Sequence, residues 1–283
     1  MKTPEEHTTM NEAGWPQGAR ATLPKVTPDV AGAAAPRPET LRYSYTDTRV
    51  LTDISARLLR MGHVVKADGS ALAETFRMLR GQVLPRMQAD GHHLIAVSSP
   101  RALQGKTLTA LNLALTMAAD LDTSVLLLDG DLSGEGLQKL LGLGGQPGLI
   151  EHLLHGTRLP DLLVNPGIDR FLLLPAGAER VANSSELLAA KALQRLVQEM
   201  KQRYPDRIIV VDLPPLLDTA DALAFLPWAD TTLFVAEAQS SRIRDLETAA
   251  ELLAPFNLIG TVLSPAPPDE PRSRQRWWRR AGN

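Results

Sequence analysis

Residues 94–107 have the sequence LIAVSSPRALQGKT. The first five residues predict a short buried strand, because they are almost continuously apolar, and the Ser, Pro and Gly that follow predict a turn. Beyond the turn, apolar residues recur at helical spacing, so we expect a helix over 107–120. The start of such a helix exposes unpaired backbone N–H groups and a partial positive charge, and both suit a phosphate group. The stretch therefore predicts a phosphate-binding loop.

The end of this loop, Gly105 to Leu108, is the predicted nucleotide-binding segment. Gly105 would let the backbone approach the ligand, Lys106 can reach the outer phosphates, and the Thr107 hydroxyl can take part in a Mg²⁺ site. The P-loop pattern is matched incompletely, because Pro100 stands where the pattern has its first glycine. The alternative is an ordinary strand-to-helix turn that happens to contain Gly-Lys-Thr.

Three aspartates lie at the ends of predicted strands. Asp129 and Asp131 follow the run LLL at 126–128, and Asp212 follows the run IIVV at 208–211. The carboxyl ends of parallel strands are where α/β sheets bind their ligands. Carboxylates at these positions can hold Mg²⁺ through water and orient an attacking hydroxyl. Together with the loop, they predict a site for ATP and Mg²⁺.

Short apolar runs alternate with longer helical patterns through most of the chain, which predicts a parallel α/β sheet flanked by helices. We expect strands at 94–98, 124–129, 171–175, 207–212, 231–237 and 258–264. We expect helices at about 50–62 and 70–86, and at 107–120, 135–141, 148–155, 184–203 and 241–254. The fold class is therefore α/β, with the architecture of a P-loop NTPase.

The composition excludes several classes of function. The 283 residues include no cysteine, which rules out disulfides, thiolate metal sites and cysteine nucleophiles. The formal net charge of −2 gives no global attraction to nucleic acid. The first 17 residues lack the apolar core of a signal peptide, and no run is long and apolar enough to cross a bilayer, so we expect a cytoplasmic protein.

Four segments are predicted along the chain. Residues 1–40 form a Pro-rich disordered arm, 41–90 a helical segment, 91–264 the ATP-binding domain, and 265–283 a Pro-rich linker with a basic tail. In that tail, residues 272–280 have the sequence RSRQRWWRR, which suits an anionic membrane surface. A nucleic-acid contact and a solvated tail are the alternatives for this tail.

Five segments in the same order resemble the bacterial tyrosine kinases of capsule and exopolysaccharide synthesis, a P-loop family related to cell-division and plasmid-partition ATPases. The resemblance covers about residues 70–264. The segments are ETFRMLR at 74–80, SSPRALQGKT at 98–107, LLLDGDL at 126–132, NSSELL at 183–188, and DLPP at 212–215 followed by Asp221-Ala222.

The resemblance implies a role for individual residues. Lys106, Asp129 and Asp131 would be catalytic, with Lys106 on the β- and γ-phosphates and the two aspartates assisting proton removal from a tyrosine hydroxyl. Thr107, Asp129 and Asp212 would surround the metal. Glu74, Arg77 and Arg80 would form the family's subunit-contact element, although a solvated charged face is the alternative from spacing alone.

The resemblance also implies partners and a place in the cell. The expected activity is ATP-dependent transfer of phosphate to tyrosine, within a self-associating ring. The expected partner is a membrane-spanning polysaccharide chain-length regulator of the Wzz type, which would hold the chain at the inner face of the plasma membrane. No specific nucleic-acid partner is expected.

Four departures from the family pattern keep other functions open. Leu103 stands at a common glycine position, Ser133 replaces an arginine, Ser264 replaces an asparagine, and the C-terminal tyrosine cluster is missing. These departures favour, as one alternative, a catalytically weak, nucleotide-dependent regulator of polysaccharide export. A second alternative is a positioning ATPase of the cell-division and plasmid-partition type, whose signature lysine is replaced here by Arg101.

Overall fold

The computed structural model describes residues 48–66, 68–120, 122–133, 136–203 and 206–265. Eight strands in these residues form one sheet. They are β1 (Arg49–Val50), β2 (Leu94–Ser98), β3 (Ser124–Asp129), β4 (Val164–Asn165), β5 (Phe171–Leu174), β6 (Arg207–Asp212), β7 (Thr231–Glu237) and β8 (Leu258–Ser264). The strand order is β1-β4-β5-β3-β6-β2-β7-β8, and only β4 and β5 pair antiparallel among these described strands. The predicted parallel α/β sheet is confirmed.

Ten α-helices connect or flank the strands in the same residues. They are α1 (Thr52–Arg60), α2 (Ala71–Ala89), α3 (Lys106–Ala118), α4 (Leu137–Leu141), α5 (Leu149–His155), α6 (Leu159–Leu162), α7 (Ser184–Ala189), α8 (Lys191–Arg203), α9 (Asp221–Phe225) and α10 (Ile243–Leu253). A 3₁₀ turn follows α9 at Leu226–Trp228.

The core lies on both faces of the sheet, as the nearly continuous apolar strands predict. Along β2, Leu94 and Ala96 face one cluster while Ile95 and Val97 face the other, which is the period-two alternation of a strand. Helices α1–α4 supply side chains to one cluster, and α5–α10 supply side chains to the other. The sheet is therefore covered on both sides, and its carboxyl edge is left for a ligand site.

The predicted single helix over 184–203 is wrong. Ala190 has an extended backbone conformation (φ −71°, ψ 150°) that separates α7 from α8. Leu188 and Leu193 are both fully buried in the same core. At 100° per residue, five positions along one straight helix would turn these side chains about 140° apart. The break lets both side chains face the sheet.

The predicted strands match the described structure, with 171–175 ending one residue earlier, at Leu174. The sequence analysis missed β1 and β4, because two residues show no periodicity. It also missed the short helices α6 and α9.

The predicted subunit-contact residues differ in their surroundings. Glu74 and Arg77 form an exposed ion pair on α2, and Arg77 also donates to the carbonyl of Asp68. Arg80 instead turns towards α3, where it donates to the carbonyl of Thr116 at 3.1 Å and lies 3.7 Å from Asp120. Arg80 thus ties α2 to α3 within the chain, and the subunit-contact role of all three stays a prediction.

Several predictions concern residues outside the described ranges. They are the disordered arm at 1–40 and the basic tail at 272–280 with its membrane contact. In the part of the chain that is described, no helix combines the length and apolar character needed to cross a bilayer.

Candidate functional site

The site is built at the carboxyl edge of the three central strands. In the register of the sheet, Asp212 at the end of β6 pairs with Asp129 at the end of β3 and with Val97 of β2. The loop after β2 leads into α3, which begins at Lys106 with Gly105 as its N-cap. Parallel register therefore brings the phosphate loop and the three predicted aspartates together, as the sequence predicts.

The start of α3 offers the expected phosphate ligands. The first backbone bond of the helix runs from the N–H of Thr109 to the carbonyl of Gly105, at 2.9 Å. The N–H groups of Lys106, Thr107 and Leu108 precede that bond, so they are available to an anion. The aligned peptide dipoles of the helix add a partial positive charge at the same point.

Lys106 is the central cation of the site. Its Nζ lies 3.4 Å from Asp212 Oδ1, 3.6 Å from Asp131 Oδ2 and 3.2 Å from Thr107 Oγ1. Burial alone would lower the pKa of Lys106, but the attraction of Asp212, Asp131 and Asp129 outweighs it and raises the pKa. The lysine is therefore held charged inside the protein.

Asp129 is a fully buried carboxylate at the end of β3. Complete burial, followed by the charges of Asp212 and Asp131, raises its pKa well above the usual value. Its two oxygens accept hydrogen bonds from the backbone N–H groups of Asp131 (3.2 Å) and Gln138 (2.6 Å). These bonds suit a residue that shapes the loop after β3, since both oxygens already have donors.

Asp212 has an unused oxygen. Burial raises its pKa, and only part of this effect is offset by Lys106 and the Thr107 hydroxyl. Its Oδ2 is fully buried and has no hydrogen-bond partner within the described ranges. A buried carboxylate oxygen without a donor is costly, which indicates that a ligand completes the site.

The donor set fits Mg²⁺. A Cβ on Gly136 would lie 3.2 Å from Asp212 Oδ2 and 3.3 Å from Asp129 Oδ1, so only glycine leaves this space beside the carboxylates open. No preformed group of three or more His, Cys, Asp or Glu ligands is present in the described part of the chain. Mg²⁺ is commonly held by one or two carboxylates together with waters and the phosphates of a substrate, and Asp212 with Thr107 could supply the protein's share of such a site.

The backbone of the phosphate loop takes the left-handed conformation twice. Gly105 has φ 85°, and a Cβ there would lie 2.8 Å from the hydroxyl of Ser264 at the end of β8. Leu103 has φ 67°, and its side chain is 63% exposed. The leucine therefore points to solvent instead of crowding the loop.

Arg101 is held on the outer side of the loop. Its guanidinium pairs with Asp218 at 2.8 Å and with Asp245 of α10 at 3.2 Å. Hydrogen bonds to Asp245 and Asp218 raise the pKa of Arg101, and Arg101 lowers the pKa of Asp245. Next along the loop, the N–H of Ala102 donates to Asp218.

The sequence analysis missed a network that supports Asp129. Gln138, whose N–H binds Asp129, donates through its side chain to the carbonyl of Gly177 at 2.8 Å. The carboxylate of Glu151 accepts from the N–H groups of Gly148, Ala178 and Glu179. Burial would raise the pKa of Glu151, but these backbone donors lower it. The network links α4, α5 and the loop after β5, and contacts between such distant segments leave no local sequence signal.

A cavity of about 350 Å³ adjoins Asp131. Its lining also includes Ala102 of the phosphate loop, Ser133, and Asp221 at the start of α9. The carbonyl of Ser133, whose position carries arginine in the family pattern, accepts a hydrogen bond from Arg180. The cavity gives access to Asp131 next to Lys106.

Comparison with known proteins shows which proteins this chain resembles. No protein-family model matches the chain. The succinoglycan biosynthesis transport protein ExoP of Rhizobium meliloti is 32% identical over 206 residues, which are 71% of this chain and 26% of ExoP. The tyrosine-protein kinase Ptk of Acinetobacter johnsonii is 28% identical over 183 residues, which are 65% of this chain and 24% of Ptk.

A solved structure shows the same fold. The kinase domain of the Escherichia coli tyrosine kinase Etk superposes with a TM-score of 0.64 at 24% identity, covering 70% of this chain and 77% of that domain. The chain spans about a quarter of the length of ExoP and Ptk. By sequence and by fold, this chain is a relative of the bacterial tyrosine kinases, built on the P-loop α/β fold of their kinase domains.

Proposed function

We propose that this chain is an ATP-dependent protein-tyrosine kinase that acts in the biosynthesis and export of a polysaccharide. The observation that carries the proposal is the position of Lys106. It is buried at the start of α3, between Asp131 and Asp212, and Asp131 also lines an open cavity. The names of the relatives agree with it, since Ptk and Etk are tyrosine kinases and ExoP is a succinoglycan biosynthesis transport protein.

In this proposal the phosphates of ATP lie on the N–H groups of Lys106, Thr107 and Leu108. The ammonium of Lys106 contacts the β- and γ-phosphates and offsets the charge that develops during transfer. Thr107 and Asp212 would hold Mg²⁺, which would neutralise phosphate charge, and the unpartnered Oδ2 of Asp212 supports that role. The N–H of Gln138 holds the carboxylate of Asp129 in place, and Asp129 would assist Asp131 in proton removal.

The acceptor tyrosine enters from the cavity beside Asp131. Its hydroxyl oxygen forms a bond to the γ-phosphorus while the bond from that phosphorus to the bridging oxygen of the β-phosphate breaks. Asp131 accepts the hydroxyl proton, and ADP leaves with the bonding electron pair.

The proposed partners follow from the relatives. We propose a membrane-spanning chain-length regulator of the Wzz type as the partner, self-association through Glu74, Arg77 and Arg80, and a peripheral position at the inner face of the plasma membrane. The exposed Glu74–Arg77 pair supports the self-association role more than Arg80 does, since Arg80 binds α3.

A catalytically weak regulator is the second candidate. It is favoured by Leu103, which puts a strained residue in the phosphate loop, and by Ser133, which supplies no second cation beside Asp131 in addition to Lys106. A positioning ATPase has less support. Arg101, which stands at the signature position of that group, is paired with Asp218 and Asp245 within the chain.

The deciding experiment is ATP-dependent formation of phosphotyrosine by the purified chain, with and without the cytoplasmic end of the proposed partner. Lys106→Met removes the cation and should reduce the rate by at least about a hundredfold. Lys191→Met, which removes an exposed lysine at the start of α8, is the matched control and should leave the rate unchanged. Tight ATP binding without any phosphotyrosine would contradict the kinase and support the regulator.

A further inference from the structure

The cavity beside Asp131 has two different kinds of wall. Leu132, Val181, Pro214 and Pro215 supply apolar surface, and Ser133, Ser184 and Thr219 supply hydroxyl groups. Its volume of about 350 Å³ is near the lower end of the range of small-ligand sites, about 300–1,000 Å³. An aromatic side chain fits such a space, with a flat apolar ring against the prolines and a polar end towards Asp131.

Asp221 is the unusual residue of this cavity. It is the first residue of α9, it lines the cavity, and it is only 6% exposed. Within the described residues its carboxylate makes no hydrogen bond and no ion pair, although its backbone N–H donates to the Thr219 hydroxyl oxygen at 3.2 Å. Charged side chains are rarely this buried unless they are paired.

The neighbouring cations are already engaged. Lys106 pairs with Asp131 and Asp212, and Arg101 pairs with Asp218 and Asp245. Arg180, on the loop after β5, donates to the carbonyl of Ser133. A counter-charge for Asp221 therefore has to come from outside the described part of this chain.

We infer that this cavity selects an acceptor tyrosine that has an arginine or lysine next to it in the peptide, because Asp221 supplies a buried carboxylate for that cation. The inference rests on the proposed kinase function and names its substrate class. The aromatic ring occupies the apolar part of the cavity, and the adjacent basic side chain reaches Asp221. A charge-assisted hydrogen bond in a buried setting is among the strong polar contacts in proteins.

A metal ion is a poorer occupant of the Asp221 side. The described residues offer Asp221 as a single carboxylate there, because the second nearby carboxylate, Asp218, already binds Arg101 and the N–H of Ala102. A guanidinium or ammonium group needs only one carboxylate, whereas a hard divalent cation takes six or more oxygen ligands.

The test uses two sets of synthetic peptides that differ only beside the aromatic residue, with arginine in one and glutamate in the other. Peptides with phenylalanine in place of tyrosine report binding alone, measured by fluorescence anisotropy with ADP and Mg²⁺ present. The tyrosine forms report kcat/KM. Three proteins are compared: the wild-type chain, Asp221→Asn, and Glu247→Gln, which removes an exposed acid on α10.

We expect the wild type to bind the arginine peptide about 10- to 100-fold more tightly than the glutamate peptide. Asp221→Asn should reduce this ratio to near one while ATP affinity stays unchanged, and Glu247→Gln should keep the ratio. Equal binding of the two peptides by the wild type would overturn the inference, as would a ratio that survives in a folded Asp221→Asn. Lack of phosphorylation of every peptide would instead count against the proposed kinase, since the phenylalanine peptides test the cavity separately.

Discussion

Gly105 and Leu103 have the same unusual backbone conformation two residues apart in one loop, but they tolerate it for different reasons. At Gly105 a side chain would meet the hydroxyl of Ser264, so the position needs glycine for space as well as for its φ of 85°. At Leu103 the φ is 67°, and the side chain extends into solvent. The inner side of the loop is thus constrained by packing, and the outer side only by backbone strain.

A phosphate loop usually meets two requirements with the same glycines, namely left-handed backbone and close approach of a neighbour. In this chain, positions 103 and 105 separate these requirements. The fold requires left-handed backbone at both positions, because the loop has to turn from β2 into α3. Close approach is required only where the loop faces β8. A leucine in the outer position costs roughly 1–2 kcal/mol of strain, and the rest of the loop compensates for it.

The most severe change on the inner side is Gly105→Ala. The new Cβ would add left-handed strain of about 1–2 kcal/mol and would lie 2.8 Å from Ser264 Oγ. We expect a loss of about 2 kcal/mol or more in the free energy of unfolding, measured with urea, and at least a tenfold loss in ATP affinity.

A double mutant divides this loss into its two parts. Ser264→Ala removes the colliding hydroxyl, so the double mutant should recover the steric part and keep the strain. The two changes should therefore be non-additive, as expected of residues in contact. Strictly additive losses would show that Ser264 does not press on this side of the loop.

On the outer side, Leu103→Asn should stabilise the protein. Asparagine adopts the left-handed region more readily than leucine, and it avoids the extra backbone entropy of glycine. We expect the free energy of unfolding to rise by about 1 kcal/mol, with ATP affinity retained or improved.

Leu59→Asn is the matched control for that change. Leu59 is similarly exposed but lies in the helical conformation of α1, where asparagine is the poorer residue. This control should lose stability. A fall in stability for Leu103→Asn as well would mean that the exposed leucine makes contacts that the strain argument leaves out.

Arg101→Gln should have the smallest effect, because the ion pairs with Asp218 and Asp245 are exposed. Arg101 lowers the pKa of Asp245, so the contribution of this pair is present at neutral pH and above about pH 4. It is lost as the pH falls through the lowered pKa of the folded state. The difference in urea midpoint between wild type and Arg101→Gln should therefore shrink in acid and in high salt, and a constant difference would contradict this account.

The sequence predicted most of the fold because the long strands have strong local patterns. The strands that carry the site, β2, β3 and β6, were predicted at their observed bounds. The break at Ala190 was not, since LLAAKALQRL is favourable to a helix throughout and only the packing of Leu188 and Leu193 requires the change. Contacts that form in three dimensions override propensity there.

The sequence predicted the part of the candidate site that depends on residue types at the ends of strands. Lys106, Asp131 and Asp212 come together as expected. The hydrogen bonds of Gln138 to Asp129 and Gly177, and that of the Ala178 N–H to Glu151, join segments up to about 40 residues apart in the sequence. The unpaired state of Asp221 is also a property of the folded surroundings, because an Asp-Ala pair has no local feature that reveals it.

The closeness of Ser264 to Gly105 also has a mechanical consequence. β8 is an edge strand, and its last residue lies so near Gly105 that a Cβ added there would come within 2.8 Å of the Ser264 hydroxyl. A displacement of the end of β8 towards the loop would press on Gly105, and a displacement of Gly105 towards β8 would press on Ser264. The shape of the proposed nucleotide-binding loop is therefore coupled to the position of the strand that ends the sheet.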